Sequence, residues 1–274
     1  MVLLLLAVSV FAWMLWGNRA VQLTEIKVDC PGLPPEFDGY RVAQVSDLHN
    51  AEFGEGNAGL LAKLQQAGPD IIVLTGDLAD SRRTNIDICL DFAAAAAEIA
   101  PLYYVSGNHE ARIDEYPRLE AGLRAAGAVV LNDALVALQK DGAEIYLLGL
   151  SDPAFAQASY MDGAEQLIGR LAGLTTEADG FRVLLSHRPE LFAAYAEAGV
   201  DLVFCGHAHG GQIRLPIIGG LFAPGQGLLP RYDAGIYQRG ACQMVVSRGL
   251  GNSIFPLRVN NRPQVIVAEL GAAA

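Results

Sequence analysis

The chain has 274 residues, with 30 Asp and Glu against 19 Lys and Arg and a net charge of -11. That length buries a sizeable core as one large or two small domains, and the acidic balance excludes a general nucleic-acid binder, which needs a basic face. Four cysteines, Cys30, Cys89, Cys205 and Cys242, show no CxxC or zinc-ribbon spacing, so neither a disulfide framework nor a cysteine-metal site is indicated.

Residues 2–17 contain no charge and a single polar side chain, Ser9, which makes the stretch about as long as the short end of a membrane span, roughly 17 residues. Trp13 and Trp16 lie near its end, where indoles favour an interface, and Arg19 follows at once. A cleaved signal peptide would carry a basic start and a small-residue cleavage site, and neither is present. A buried core helix is an alternative for a segment apolar on every face, set back by its place ahead of the first globular strand. Residues 1–18 are therefore expected to be a membrane anchor, and Arg19 and Lys27 on its C-terminal flank place the following domain on the cytoplasmic side by the positive-inside rule.

Residues 19–39 read as a linker with a short edge strand at 25–29, broken by Pro31-Gly32-Leu33-Pro34-Pro35. A catalytic domain is expected from 40 to 271. Its first half alternates apolar, β-rich runs at 41–46, 70–75 and 102–106 with helical stretches at 57–67, 86–100 and 116–126, the rhythm of βαβ units. The runs at 129–131, 135–138 and 145–150 then come close together, with Asp141-Gly142 as a hairpin turn. Helical stretches at 163–174 and 189–198 lead into strands at 182–186 and 201–205, and Pro189 suits a first helical turn. Strands at 244–247 and 265–268 close the chain. This pattern is an α/β (α+β) fold of two mixed β-sheets face to face with helices outside. No GxGxxG follows the first strand, which argues against dinucleotide binding, and no internal repeat is present.

All five histidines fall at the C-terminal ends of these strands, in Asp47-Leu48-His49, Asn108-His109-Glu110, Ser186-His187 and His207-Ala208-His209, and Gly76-Asp77 ends the remaining strand. Open α/β sheets place their chemistry at such ends. Two divalent ions roughly 3.5–4 Å apart need a bridging carboxylate, neutral imidazoles and oxygen donors, with room left for water and substrate. Asp77 is the natural bridge. Asp47 and His49, two apart on an extended segment, would point to one side and reach a single ion. His207 and His209 share that spacing within a glycine-rich loop in which the two rings can serve different ions. Asn108 offers a carbonyl oxygen and His187 another imidazole. Mixed imidazole, carboxylate and amide donors suit manganese, placed first, or iron, zinc or cobalt, rather than calcium or magnesium. A hydroxide held between such ions attacks phosphorus at neutral pH. His109 points elsewhere than Asn108 and is the candidate catalytic acid for the leaving oxygen, with Glu110 able to orient it or to touch substrate.

The ordered set DLH, GDLAD, GNHE, SH and GHAHGGQ resembles the calcineurin-like metallophosphoesterase superfamily, and GHAHGGQIRLP is similar to its membrane-associated bacterial branch. The resemblance runs from about Arg41 to Leu270 and implies a four-layer αββα sandwich. It also implies one metal held by Asp47, His49, Asp77 and His209 and a second by Asp77, Asn108, His187 and His207, with Asn108 and His109 at the reacting phosphate. Family members hydrolyse phosphoester or pyrophosphate bonds, and some in this branch act on lipid-linked substrates such as UDP-2,3-diacylglucosamine. With the anchor, this implies a phosphohydrolase of the bacterial inner membrane acting on a phosphorylated, lipid-linked small molecule. A phosphodiesterase or phosphatase for soluble substrates is the alternative, and a non-catalytic scaffold is a third reading that the intact ligand pattern opposes. Asp80 matches a recurrent second acid. Arg248, in Ser247-Arg248-Gly249-Leu250-Gly251-Asn252, is a candidate substrate contact together with Asn252, and the apolar stretch 215–229 is expected to form a flap beside the metals.

Overall fold

Apolar runs buried on both faces need a partner layer on each side, and the computed structural model of the chain, which describes residues 1–156, 160–252 and 255–272, supplies it with two six-stranded sheets packed face to face. In chain order the strands are β1 (Gln22–Cys30), β2 (Arg41–Val45), β3 (Ile71–Thr75), β4 (Leu102–Val105), β5 (Val129–Val130), β6 (Ala134–Lys140), β7 (Ala143–Gly149), β8 (Arg182–Leu185) and β9 (Leu202–Cys205). They continue with β10 (Arg214–Leu215), β11 (Gly219–Gly220), β12 (Phe222–Ala223), β13 (Gly227–Leu228), β14 (Gly235–Arg239), β15 (Cys242–Val246) and β16 (Gln264–Ala272). One sheet has the order β1-β16-β2-β3-β4-β5 and the other β14-β15-β9-β8-β7-β6.

The helices are α1 (Val2–Arg19), α2 (Ala58–Ala67), α3 (Ile86–Ala97), α4 (Tyr116–Ala125), α5 (Tyr160–Glu177) and α6 (Phe192–Glu197). Period-two burial sorts the strands between layers. Ala43, Val45, Ile72 and Leu74 face outward onto Leu60, Leu64, Phe92 and Leu119 of α2 to α4. Their neighbours Val42, Ile71 and Val73 face inward and meet Leu147, Val183 and Phe204 of the other sheet. Leu167 and Leu171 of α5 and Phe192 and Tyr195 of α6 cover the far side. This is the four-layer αββα sandwich. In the alanine run of α3, Ala93 and Ala96 are buried in that outer core, where small side chains admit a close helix.

Register brings the loops together. β2, β3 and β4 run parallel with Val45 opposite Leu74 and Thr75 opposite Val105. β8 and β9 are parallel with Leu185 opposite Phe204. Buried Gln44 ties the sheets at this end, donating from Nε2 to Thr75 Oγ1 at 3.0 Å and to the Cys205 carbonyl at 2.9 Å. The β6–β7 turn at Asp141-Gly142 has φ of 51° and 89°, the paired positive values of a tight hairpin.

Three expectations change. The short edge strand at 25–29 is a nine-residue strand, β1, paired in parallel with β16 along its whole length. The apolar stretch 215–229 is not one flap but two small antiparallel hairpins, β10–β11 and β12–β13. The single-pass anchor over residues 1–18 is overturned: among the described residues no helix is long and apolar enough to cross a membrane. The apolar part of α1 ends at Gly17, and Asn18 and Arg19 close the helix; at 1.5 Å per residue that part spans about 24 Å, short of a hydrocarbon core of about 30 Å. Asn18 is moreover tied to the body, accepting from the Arg258 amide at 2.7 Å and donating to its carbonyl at 2.9 Å. The inner-membrane placement that rested on the anchor goes with it.

Phe204 is fully buried between the sheets. Phe204→Ala is expected to cost about 3–5 kcal/mol of stability, read as a lower denaturation midpoint in urea with the slope unchanged.

Candidate metal centre

Three of the five loops, those after β2, β3 and β9, leave their strands through backbone that most residues avoid. Asp47, His49, Asp77, His207 and His209 all have positive φ, between 48° and 67°. That left-handed region costs an ordinary L-residue about 1–2 kcal/mol, and aspartate, asparagine and histidine tolerate it best. The segment 47–49 is therefore not extended, and the alternation argument for Asp47 and His49 fails although both reach one place. The turns are locked by a ladder of loop bonds: the amides of Asp47, His49 and Asn50 donate to the carbonyls of Gly76, Asp77 and Leu78, each at 3.0 Å. Gly76 and Gly107 let these loops touch, since a Cβ on Gly107 would stand 2.2 Å from Asp77 Oδ1.

The result gathers all five histidines, every one buried, into one region, four of them in two neighbouring groups. In the first, His209 Nε2 lies 3.2 Å from His49 Nε2 and 3.4 Å from Asp47 Oδ1. In the second, His187 Nε2 lies 3.1 Å from Asp77 Oδ2 and 3.2 Å from His207 Nδ1. Asp77 Oδ2 is also 3.7 Å from His49 Nε2, so this carboxylate faces both groups. A third grouping joins His49 to Asp80 and His109.

The donors suit divalent cations. Asn108 Oδ1 is buried with no hydrogen-bond partner, a loss of about 1–3 kcal/mol that a bound cation removes. Burial, in spite of the Asp77 charge, holds the His49 imidazole down at about 3. Burial and neighbouring positive or imidazole groups likewise hold His207 and His209 well below the usual histidine range. These rings are neutral, as ligands must be. Burial opposes charge on His187 too, but Asp77, Asp47 and Asp152 outweigh it and push its pKa up to about 10. Carboxylates that draw a proton onto an imidazole are equally placed to draw a cation.

Surrounding bonds set the tautomers. His187 Nδ1 donates to the Thr75 carbonyl at 2.8 Å, which leaves Nε2 facing Asp77. His109 Nδ1 accepts from the Ser81 amide at 3.0 Å, so its neutral ring carries the proton on Nε2, which points toward Asp77 Oδ2 at 4.0 Å. Arg188 Nη1 lies 2.9 Å from His207 Nε2, and a guanidinium can only donate, so the His207 proton sits on Nδ1. A cation held at Nδ1 would need that proton on Nε2 instead, with loss of the Arg188 contact.

Other expected residues take different places. Glu110 is wholly buried and accepts from the amides of Asp77 (2.9 Å), Gly107 (2.7 Å) and Ala79 (3.0 Å), so its carboxylate clamps the β3 and β4 loops together in place of orienting the His109 ring or facing substrate. Asp80 Oδ1 lies 3.7 Å from His109 Nδ1 and accepts from the Arg82 amide at 2.8 Å. The Arg248 guanidinium binds Gln22 Oε1 at 2.9 Å and lines a cavity near α1, while Asn252 pairs with Gln212 and the Pro256 carbonyl. Sequence patterns single out neither of two arginines that border the centre. Arg188 is buried against Asp152 through Nη2 at 2.9 Å and Nε at 2.5 Å, and Arg258 places Nη2 3.4 Å from His209 Nδ1. Asp152 sits just past the end of β7, the position that marked the other site residues. Arg258 lies far along the chain in no motif, and only the fold could reveal it.

The model of the family described as calcineurin-like phosphoesterase matches residues 40–211. The chain is 28% identical to the metallophosphoesterase YkuE of Bacillus subtilis (strain 168), over 91% of this chain and 85% of that protein. It is 29% identical to the phosphodiesterase YaeI of Escherichia coli (strain K12), over 84% of this chain and 82% of that protein. A solved structure of a dimetal phosphatase from Danio rerio shares the fold with a TM-score of 0.54 at 13% identity, covering 85% of this chain and 93% of that one.

Glu110→Gln puts an amide where a carboxylate oxygen accepts backbone N–H groups. It is expected to weaken metal binding about 10–100-fold without removing a ligand, read by titrating metal into the chelated protein. Unchanged affinity would show that the clamp does not matter to the centre.

Proposed function

This chain belongs to the calcineurin-like phosphoesterase family, and from that premise we propose a metal-dependent phosphodiesterase whose substrates carry an apolar, lipid-like substituent. The observation that carries the reading is a cavity of about 270 Å³ that opens directly off the metal centre, sharing His209 with it and lined by Ile213, Leu221, Phe222, Pro224 and Phe255. Phosphate recognition at the centre and an apolar wall beside it match a phosphoester with a greasy alcohol on one side. The similarity to a phosphodiesterase supports the diester preference.

In this reading Asp47, His49, Asp77 and His209 hold one ion, and Asp77, Asn108, His187 and His207 hold the other. Two divalent cations, manganese foremost, supply Lewis acidity at phosphorus and make water acidic enough to attack near neutral pH. The chain's own contribution is placement. The Asp77 carboxylate, whose Oδ2 faces both groups, would hold both ions, and Asn108 would complete its group without adding charge. The Ser81 amide fixes the His109 ring so that Nε2–H points into the centre, where it can donate to the departing alcohol oxygen. Leu221 and Phe222 seat the apolar substituent and keep water from that side.

His109→Ala is expected to keep two metals per chain and to lose about 10²–10⁴ in turnover, whereas His207→Ala loses metal as well; elemental analysis beside kinetics on a chromogenic phosphodiester separates the two. Equal metal loss in both variants would contradict the division of roles. Replacing Leu221 and Phe222 together with Ser is expected to raise KM at least tenfold for a long-chain alkyl phosphodiester and leave a short-chain one within twofold. Equal losses on both would sink the apolar-substituent reading.

A further inference from the structure

Behind His209, on the side away from the metal groups, lies a second cavity of about 220 Å³, lined by Trp16, Gln22, Arg248, Arg258, Asn261 and Arg262 among others. Three arginines thus converge on one small space, and no carboxylate lines it. In a chain of net charge -11 this is an unusual economy. Several buried or half-buried arginines elsewhere meet acids, as Arg188 meets Asp152, Arg214 meets Asp233 and Arg41 meets Glu25 and Glu269, although Arg182 binds only carbonyls. Among the described residues Arg248, Arg258 and Arg262 form no ion pair.

Their hydrogen bonds all go to neutral acceptors. Arg248 donates to Gln22 Oε1 at 2.9 Å, Arg258 to the Arg248 carbonyl at 2.7 Å, and Arg262 to the Ala20 carbonyl at 2.9 Å, while the Arg262 guanidinium stacks 4.7 Å from the Trp16 ring centre. The Nε atoms of Arg248 and Arg258 are buried with no acceptor, and Arg258 is only 2% exposed. Burial together with Arg214 and Arg262 depresses Arg248 to about 10. Burial also depresses Arg258 to about 10, against the pull of Asp47. Uncompensated buried charge of one sign is costly unless a counter-charge joins it.

We propose that this cavity binds a phosphate group at a site distinct from the metal centre. Guanidinium forks match phosphate oxygens in geometry and charge better than they match a halide or a single carboxylate. At about 220 Å³ the cavity is smaller than the roughly 300 Å³ at which pockets begin to hold drug-sized ligands, so it takes the phosphate and not a whole nucleotide. Occupancy acts on the metal centre through the wall between them: Arg258 Nη2 stands 3.4 Å from His209 Nδ1, and Asn261 donates to the His209 carbonyl at 2.7 Å. Anchoring Arg258 and Asn261 from behind stiffens the loop that presents His209. The phosphate comes either free in solution or as the head of a lipid, with the half-exposed Trp13 and Trp16 at the rim.

Equilibrium dialysis of the manganese-loaded full chain against labelled inorganic phosphate, with and without chelator, counts the sites. Two sites are expected in the wild type, of which chelation removes one; R248Q/R262Q lacks the chelator-resistant site, and R262Q alone weakens it at least tenfold. Flotation with phosphatidic acid vesicles against phosphatidylcholine vesicles tests the lipid source: capture by phosphatidic acid alone, lost in R248Q/R262Q, supports the site even where dialysis shows a single phosphate. Thermal melting confirms that the variants fold, and R262Q serves if the double variant does not. A wild type with one chelator-sensitive phosphate site and no preference for phosphatidic acid overturns the proposal. So does a second site or a vesicle preference that survives R248Q/R262Q.

Discussion

Left-handed backbone at Asp47, His49, Asp77, His207 and His209 is the constraint on which the centre depends. Strand alternation puts residues two apart on one face, but these ligands lie past the strand ends, where alternation no longer places them. Five left-handed residues in the three loops after β2, β3 and β9 aim them into one space. Strain of about 1–2 kcal/mol at each position persists only because the loops hold one another, through the ladder from 47–50 to 76–78 and through the three amides that Glu110 accepts. The two sheets supply the rigid base. Their parallel strands end at one edge, and Gln44 fixes that edge across the interface.

Electrostatics follows from the same crowding. Buried Asp47 and Asp77 stand among imidazoles that desolvation keeps neutral, with His187 the exception that takes up charge. Positive groups flank the centre at a distance suited to shaping it without entering it. Arg188 sits behind His207 with Asp152 as its counter-ion, and Arg258 sits behind His209 with no counter-ion among its contacts. The difference between these two arginines is what sets the cavity near α1 apart from ordinary support for a metal site.

Much of this was legible in the chain itself. Helices α2, α3 and α4 begin or end within a few residues of their apolar periodicity, and the Asp141-Gly142 hairpin follows from turn chemistry. The five histidines were readable as one cluster because each closes a β-type run. Long-range facts were not. β14 (Gly235–Arg239) lies at the sheet edge with mostly exposed residues, so no burial pattern announced it. Arg258 and Asp152 carry no motif. Glu110 read as a group facing substrate or His109, because nothing local reveals that the amides of Asp77 and Ala79 lie within its reach. The apolar start of the chain looked like a membrane span because composition reports hydrophobicity but not where Asn18 is fastened.

In the proposed centre two cations share Asp77, and each group draws its residues from both sheets. Anomalous diffraction from crystals of the manganese-loaded protein tests this directly. Two manganese peaks are predicted, one among Asp47, His49 and His209 and the other among Asn108, His187 and His207, with Asp77 touching both. A single peak, or two peaks that leave Asp77 free, would contradict it.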